Sequence, residues 1–545
     1  WAQIIAGDLP AIRRYAPPML PGKTVISECA TFDDEADLRR RGVATLITTM
    51  PPLGATGLDA TQPARWPAAV VEACMAASIG RRNLTEGDYL NRMAELEWSP
   101  CLVNLQGEEP VNRFAFVIHP LSARYIFNHP ALRWCRWLPH AWVEWLAAFA
   151  PPLYLSRITG VQSDATGQRV EGLLYTLGAT PRQMMRRDPS FTYRRLLRVA
   201  RHAEARGARL MGLGAFTSIV GDAGVTVAQQ AEIAITSGNS LTVAATLETA
   251  KQAVRSLGAQ DLTQGKAMVV GATGSIGSVC SRLLAQALGE VTLVAPRPER
   301  LIALKRQIEA ETPGAQVTIA TSPDEHIGEM ELIITTTSAF DQRVIDITQC
   351  KPGAVICDVA RPPDIQAWEA ALRPDVLVIE SGEILLPGEP DFGFDIGLPP
   401  KTAYACLAET ALLAMEGRFE DYSIGRELEL DKVKEIYRLF RKHGLNLAGM
   451  RSFDQYVTDA ALDEKRRLAA LWRADLARFA RHKAEARRKL AAHDAHLSQR
   501  GGRKEATPSA WRSLAPVLVG LMALGWWLRR RGRAHETVAN RSHLA

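Results

Sequence analysis

Seven residues, Gly271-Ala272-Thr273-Gly274-Ser275-Ile276-Gly277, directly follow an apolar run at 268–270 and open an amphipathic stretch. A strand feeding a glycine turn and then a helix is the arrangement that holds a dinucleotide pyrophosphate. The first glycine permits the tight turn and the second lets backbone amides approach the anion. The third lets the helix pack close to the strand, and the helix N-terminus favours negative charge. The next apolar run ends in Val294-Ala295-Pro296-Arg297-Pro298-Glu299-Arg300. An NAD site usually carries an acid at that strand end, to bond the ribose hydroxyls. Here Arg297 and Arg300 offer two guanidiniums suited to a 2′-phosphate, so NADPH is the expected cofactor. Glu299 is the competing acid, but it sits beyond the usual strand-end position.

Of eight cysteines, Cys406 has the most telling context. It lies in LPPKTAYACLAETALLAMEG, where the proline pair and the closing glycine predict a helix beginning near Pro400. Cys406 then falls in the second turn, where the helix dipole and Lys401 would modestly favour a thiolate. On pattern alone, however, a lone helical cysteine reads as a buried small hydrophobe. Glu409, one turn on, reads either as a group that tunes the thiol or as a solvated or salt-bridged helix residue. His119 precedes a proline at the end of an apolar strand and reads as structural or as a general acid. Cys350 and Cys357 flank a strand and read as core. No cysteine spacing matches a metal site, which leaves room only for a loosely held Mg2+.

These groups need a scaffold, and the predicted fold class is α/β. A small N-terminal α/β unit spans 1–110, with strands in TVISECA (24–30), VATLITT (43–49) and CLVNL (101–105). Helices are expected between the first two strands, over 66–80 and from the capping-box spacing at 85–88, giving a parallel sheet. A second α/β substrate domain (111–255) contains FAFVIHPL (114–121). Its aromatic crowd at 130–155 includes Trp134, Trp137, Trp142, Trp145, Phe149 and Tyr154, and reads as core or as the wall of an apolar pocket. Residues 256–425 alternate buried strands with helices as a Rossmann-type doubly wound parallel sheet that also carries the Cys406 helix. A charged helical region (426–500) and a linker with an apolar segment (501–545) follow.

The composition, 47% hydrophobic and 23% charged over 545 residues, excludes a disordered chain, a collagen-like fibre and a polytopic membrane protein. The net charge of +6 is unevenly spread. From Leu462 onward there are 19 Lys and Arg against 7 Asp and Glu, while the first 461 residues carry 46 against 52. A mildly acidic body does not suit nucleic acid. Cysteine usage fits a reduced cytoplasmic setting. The apolar segment 513–528, followed by RRRGR, would let residues 513–533 lie on or span a membrane. The first residue is Trp rather than Met, which leaves open what precedes it.

Five further runs matter together with the glycine loop: LGAFTSIV (213–220), TSGNSLT (236–242), YACLAETALLAMEG (404–417), SIGRELELDKVKEI (423–436) and RKHG (441–444). In order and spacing, from 114 to 453, the sequence resembles the cyanobacterial long-chain acyl-acyl-carrier-protein reductases. The resemblance implies NADPH-dependent reduction of a fatty acyl thioester to aldehyde, with Cys406 as the acyl-accepting nucleophile. It also implies acyl carrier protein or acyl-CoA as the donor. Where that family tends to place Arg straight after the second strand, this chain has Pro296 and then Arg297. Residues 1–110 and those after about 455 have no counterpart there. The rival readings are a dehydrogenase of a small polar, shikimate- or quinate-like substrate and a non-catalytic NADPH-binding scaffold or sensor.

Overall fold

The run KAMVV is buried over its last four residues, apolar on both sides of the backbone, and only a strand covered on both faces satisfies that pattern. In the computed structural model, which describes residues 2–28, 30, 32–48, 79, 85, 88, 101–105, 111–127, 136–259, 261, 263–339 and 343–501, it is the central strand Lys266–Val270 of an eight-stranded sheet. Glu290–Val294 and then Gln316–Ala320 lie on one side. Leu332–Thr335, Val355–Asp358 and Leu377–Glu380 follow on the other. All six are parallel, and the order reverses beside Lys266–Val270, so the crevice at the carboxyl ends of the strands is a topological switch point. The short antiparallel strands Arg451–Ser452 and Gln455–Tyr456 close one edge.

A second, six-stranded sheet is mixed. Asn112–Ile118 pairs in parallel with Arg169–Thr176 and Ala208–Leu213, and Ala234–Thr236 extends it beyond the latter. The antiparallel strands Leu153–Gln162 and Gly388–Asp391 complete the other side. The helix Ala405–Glu416 packs on this sheet, in one core with Phe114, Phe116 and Leu210. The helix Asn239–Ser256 packs against Ala405–Glu416 and also against Ser275–Ala287 and Val355–Asp358. A single helix thereby fixes the cysteine helix relative to the eight-stranded sheet.

Three expectations change in detail. The N-terminal strands Ile4–Ala6, Thr24–Ser27 and Thr45–Thr48 are parallel, but Cys101–Asn104 adds antiparallel to the last. Its core comprises residues such as Val25, Leu38 and Leu46. The aromatic crowd is not a packed core: Val143 and Ala148 take the buried face of the helix His140–Phe149, while Trp145 and Phe149 are 44% and 54% exposed. The end of the charged helical region is two helices rather than one, Asp459–Ala474 and Leu476–Gly501, with a break at Asp475. The unit from Ala480 onward is described only as the continuation of that last helix, with a Lys489–Glu485 ion pair of 2.7 Å. Trp134, the expected helices over 66–80 and from 85, and the segment 513–533 lie outside the described residues, isolated positions apart. Among the described residues no helix is long and apolar enough to cross a membrane.

Candidate functional site

Pro399 and Pro400 do not open the cysteine helix. Proline favours extended backbone before it, and Lys401 adopts a positive φ of 63°. The chain then forms the strand Thr402–Tyr404, antiparallel to Glu383–Leu385. The helix starts at Ala405 and closes on Gly417 in the left-handed conformation. Cys406 is its second residue, in the first turn rather than the second. Lys401 does not serve the thiol; its Nζ lies 2.6 Å from Glu389 Oε1.

Among the cysteines with described side chains, Cys280, Cys350 and Cys357 are fully buried and Cys406 is partly exposed. Burial pushes the Cys406 thiol up to about 11. Hydrogen bonds from the backbone amides of Ala215 and Leu407 act the other way, and the charge of Glu409 adds to the rise. Burial pushes Cys357 to about 12 and Cys280 higher still, and the burial of Cys350 and Cys357 agrees with their reading as core.

The amide of Ala215 is held by a strained turn. Ala215 has φ 46°, a region costly for a residue with a Cβ. Gly214 N–H donates to Val117 O at 2.9 Å, and Phe216 N–H donates to His119 Nε2 at 3.0 Å. His119 Nδ1 lies 3.2 Å from Pro120 O, so the neutral ring donates there and accepts at Nε2. Both nitrogens are engaged, and burial lowers the His119 pKa to about 4. His119 therefore positions the turn and is no general acid.

A second turn clamps Cys406 from the other side. Gly238, at φ 74°, approaches so closely that a Cβ there would sit 2.1 Å from the Cys406 Cα. Glu409 fastens this turn, and it is neither solvated nor salt-bridged. It is fully buried, accepting from Thr236 Oγ1 at 2.6 Å and Leu241 N–H at 2.8 Å. Burial raises its pKa, with the hydrogen bonds from Thr236, Leu241, Ser423 and Gly238 opposing. With its oxygens so engaged, Glu409 is a positioning residue and not the thiol's base.

The neighbouring Asn239 donates from Nδ2 to Ser275 Oγ at 3.4 Å, joining the cysteine clamp to the glycine loop. Gly271 has φ 86°, and a Cβ there would meet Thr336 at 2.9 Å. At Gly277 a Cβ would lie 2.3 Å from Gly271 O, so the third glycine brings helix against loop. Gly274 has no such crowding within the protein beyond a 3.3 Å contact. It caps the helix Ser275–Ala287 without a side-chain hydrogen bond, leaving first-turn amides for an anion. Arg297 and Arg300 stand exposed where Glu290–Val294 meets the helix Pro298–Glu311, with no side-chain partner among the described residues. Loop, amides and arginines fit a phosphorylated dinucleotide. Ala272 and Thr273 belong to the same turn, Ala272 being fully buried, and Ile276 lies in the first turn of the helix Ser275–Ala287.

Across the crevice, Asp358 ends its strand buried, accepting from Thr335 Oγ1 at 3.0 Å, and burial pushes its pKa to about 6. Tyr404, next to the cysteine helix, is pushed up to about 12 by burial and feels the charges of Arg361 and Glu383. Arg361, three residues past Asp358, thus links the two halves of the site electrostatically. Neither Ala215 nor Arg361 was singled out by sequence reasoning, and Gly238 and Asn239 only as part of a turn. Among the described residues no group of three or more His, Cys, Asp or Glu could hold a metal ion.

The family described as "Domain of unknown function (DUF8754)" matches residues 1–105. A protein named "Aminotransferase PigE" from Serratia sp. is 31% identical over 359 residues, 63% of this chain and 41% of that protein. The chain therefore spans less than half the length of that relative. A protein named "Long-chain acyl-[acyl-carrier-protein] reductase" from Synechococcus elongatus is 26% identical over 309 residues, 54% of this chain and 87% of that one. Among solved structures, L-tryptophan dehydrogenase from Nostoc punctiforme is 15% identical, covering 69% of this chain and 90% of its own, with a TM-score of 0.30. Lactate dehydrogenase from Eimeria maxima is 18% identical, covering 22% and 43%, with a TM-score of 0.19.

Proposed function

We propose that this protein reduces a long-chain acyl thioester, delivered on acyl carrier protein or coenzyme A, to the fatty aldehyde with NADPH. The reading rests on one observation above all: Cys406, a partly exposed residue, is clamped by a turn whose Asn239 bonds Ser275 of the glycine loop. The similarity to the Synechococcus reductase over 309 residues supports the substrate class.

Cys406 would lose its proton as the thioester binds, and its sulfur would attack the acyl carbonyl. The carrier sulfur leaves and takes up a proton, and the acyl group stays on Cys406. NADPH, held by the loop 271–277 with Arg297 and Arg300, would supply hydride. Hydride on the acyl carbon would leave a hemithioacetal oxyanion, whose collapse releases the aldehyde and expels the Cys406 thiolate, which takes up a proton from water. The Ala215 and Leu407 amides favour the thiolate during attack. His119 and Glu409 fix the two turns without exchanging protons with substrate.

The test is product analysis of the purified protein with a long-chain acyl thioester and NADPH, beside Cys406→Ala. Aldehyde from the wild type alone supports the reading. Aldehyde from both would remove Cys406 from the chemistry, and aldehyde from neither, with NADPH still bound, would overturn the reaction class.

A further inference from the structure

The body of this protein is mildly acidic, yet residues 181–209 hold nine Arg and no Lys against two acids, Asp188 and Glu204. The segment folds largely as the helix Ser190–Glu204. Leu196, Leu197, Val199, Ala200 and Ala203 cover its inner face. Arg194, Arg198 and Arg201 recur at i, i+4 and i+7 and are all exposed. None of these three guanidiniums has an ion-pair partner among the described residues. Clustered charge of one sign costs self-repulsion in the free protein and is relieved when anions arrive. The strain is visible at Arg195: partial burial, then the like charges of Arg187, Arg198 and Arg194, lower its pKa.

Beside the stripe lies an aromatic ledge. The Arg187 guanidinium sits 4.4 Å from the ring centroids of both Phe149 and Phe191. Trp145 meets Phe149 edge to face at 5.1 Å. Exposed aromatics flanked by arginines have the composition of protein–protein hot spots. The ledge backs onto the thiol's own support: Phe191 packs against the buried cluster holding Phe216, whose neighbour Ala215 donates to Cys406.

We infer that the stripe Arg194–Arg198–Arg201 and the adjoining Phe149 ledge dock an acidic carrier protein that presents the acyl thioester to Cys406. This rests on the reading of Cys406 as the acyl acceptor. The stripe alone runs about 10 Å along the helix. Together with the ledge, that length suits the acidic face of a small protein better than a single phosphate, and arginine bonds carboxylates in pairs.

The test compares the full chain with the triple variant Arg194→Glu, Arg198→Glu, Arg201→Glu on acyl carrier protein and on acyl-CoA of the same chain length. The expected result is a KM for the acylated carrier raised roughly tenfold or more. The variant's kcat and its kinetics on acyl-CoA should stay unchanged, and a triple Arg→Lys variant should recover most of the loss. Wild-type KM for the carrier should also rise with salt, a measurement that needs no variant. Equal losses on both donors, or no change on the carrier, would overturn the proposal. So would loss of binding to anionic phospholipid vesicles with carrier kinetics intact, which would assign the face to a membrane surface. If the wild type reduces neither donor, the proposed function falls separately. Fluorescence anisotropy with labelled carrier protein then decides the docking by itself, and equal binding by wild type and variant would sink it.

Discussion

Gly238 and Cys406 meet backbone to backbone: a Cβ built on Gly238 would stand 2.1 Å from the Cys406 Cα and 2.3 Å from its Cβ. Between these residues no side chain intervenes, so the turn Thr236–Asn239 sets the height of the first helical turn directly. The same turn is tied down by Glu409 from below and reaches Ser275 of the glycine loop. The position of the Cys406 thiol is therefore a property of three segments far apart in sequence.

Gly238→Ala tests that contact. The new methyl meets rigid backbone, and a φ of 74° disfavours any Cβ. We expect about 2–4 kcal/mol of destabilisation in denaturant unfolding, with loss of any Cys406-dependent turnover. A variant within about 0.5 kcal/mol of wild type would mean the two elements part easily.

Thiol reactivity should follow burial. With the Cys406 pKa pushed to about 11, the thiolate fraction grows about tenfold per pH unit through the neutral range. Alkylation of Cys406 by a neutral reagent, read by peptide mass spectrometry, should keep accelerating from pH 7 to pH 9.5. A plateau near pH 7 would reveal a pre-formed thiolate and contradict the dominance of desolvation.

His119 should make the fold acid-sensitive. Its pKa falls from 6.5 to about 4 on folding, so the unfolded chain takes up the proton first. The stability secured by the neutral ring is whole above pH 6.5 and is lost as pH falls through 4. His119→Gln keeps an acceptor for Phe216 N–H without titrating. Between pH 7.5 and 4.5 the variant's stability relative to wild type should improve by about 2 kcal/mol. A constant difference across that range would show that the ring is already protonated or exposed.

Much of this was legible in the sequence, for a physical reason. Strands buried on both faces announce themselves as continuous apolar runs, and a glycine turn between strand and helix has few other uses, so the dinucleotide sheet could be read directly. The helix start at Ala405 could not, because the proline pair at 399–400 signals a break without saying whether a helix or a strand follows. Nor could Glu409, since a glutamate on a helix gives no local sign of whether its neighbours are water or the Thr236 turn. Ala215 carries a positive φ that a glycine would have advertised and an alanine conceals.

On the proposed reading, cofactor choice turns on Arg297 and Arg300. Both stand exposed beside the carboxyl end of Glu290–Val294, and neither guanidinium is engaged within the described protein. Pro296 precedes them and Pro298 opens the helix, so the backbone that aims Arg297 has little freedom. Two unpaired guanidiniums there attract a dianionic 2′-phosphate far more than a ribose hydroxyl, and they give NADH nothing comparable. Arg297→Ala should weaken NADPH binding by about 1.5–3 kcal/mol, roughly ten- to a hundredfold, and leave NADH nearly unchanged. Arg300→Ala should act in the same direction, and the double variant should bring the two affinities together. Titration of both cofactors by intrinsic tryptophan fluorescence reads the result. Equal loss for NADPH and NADH would mean that the arginines hold a group the cofactors share and set no preference between them.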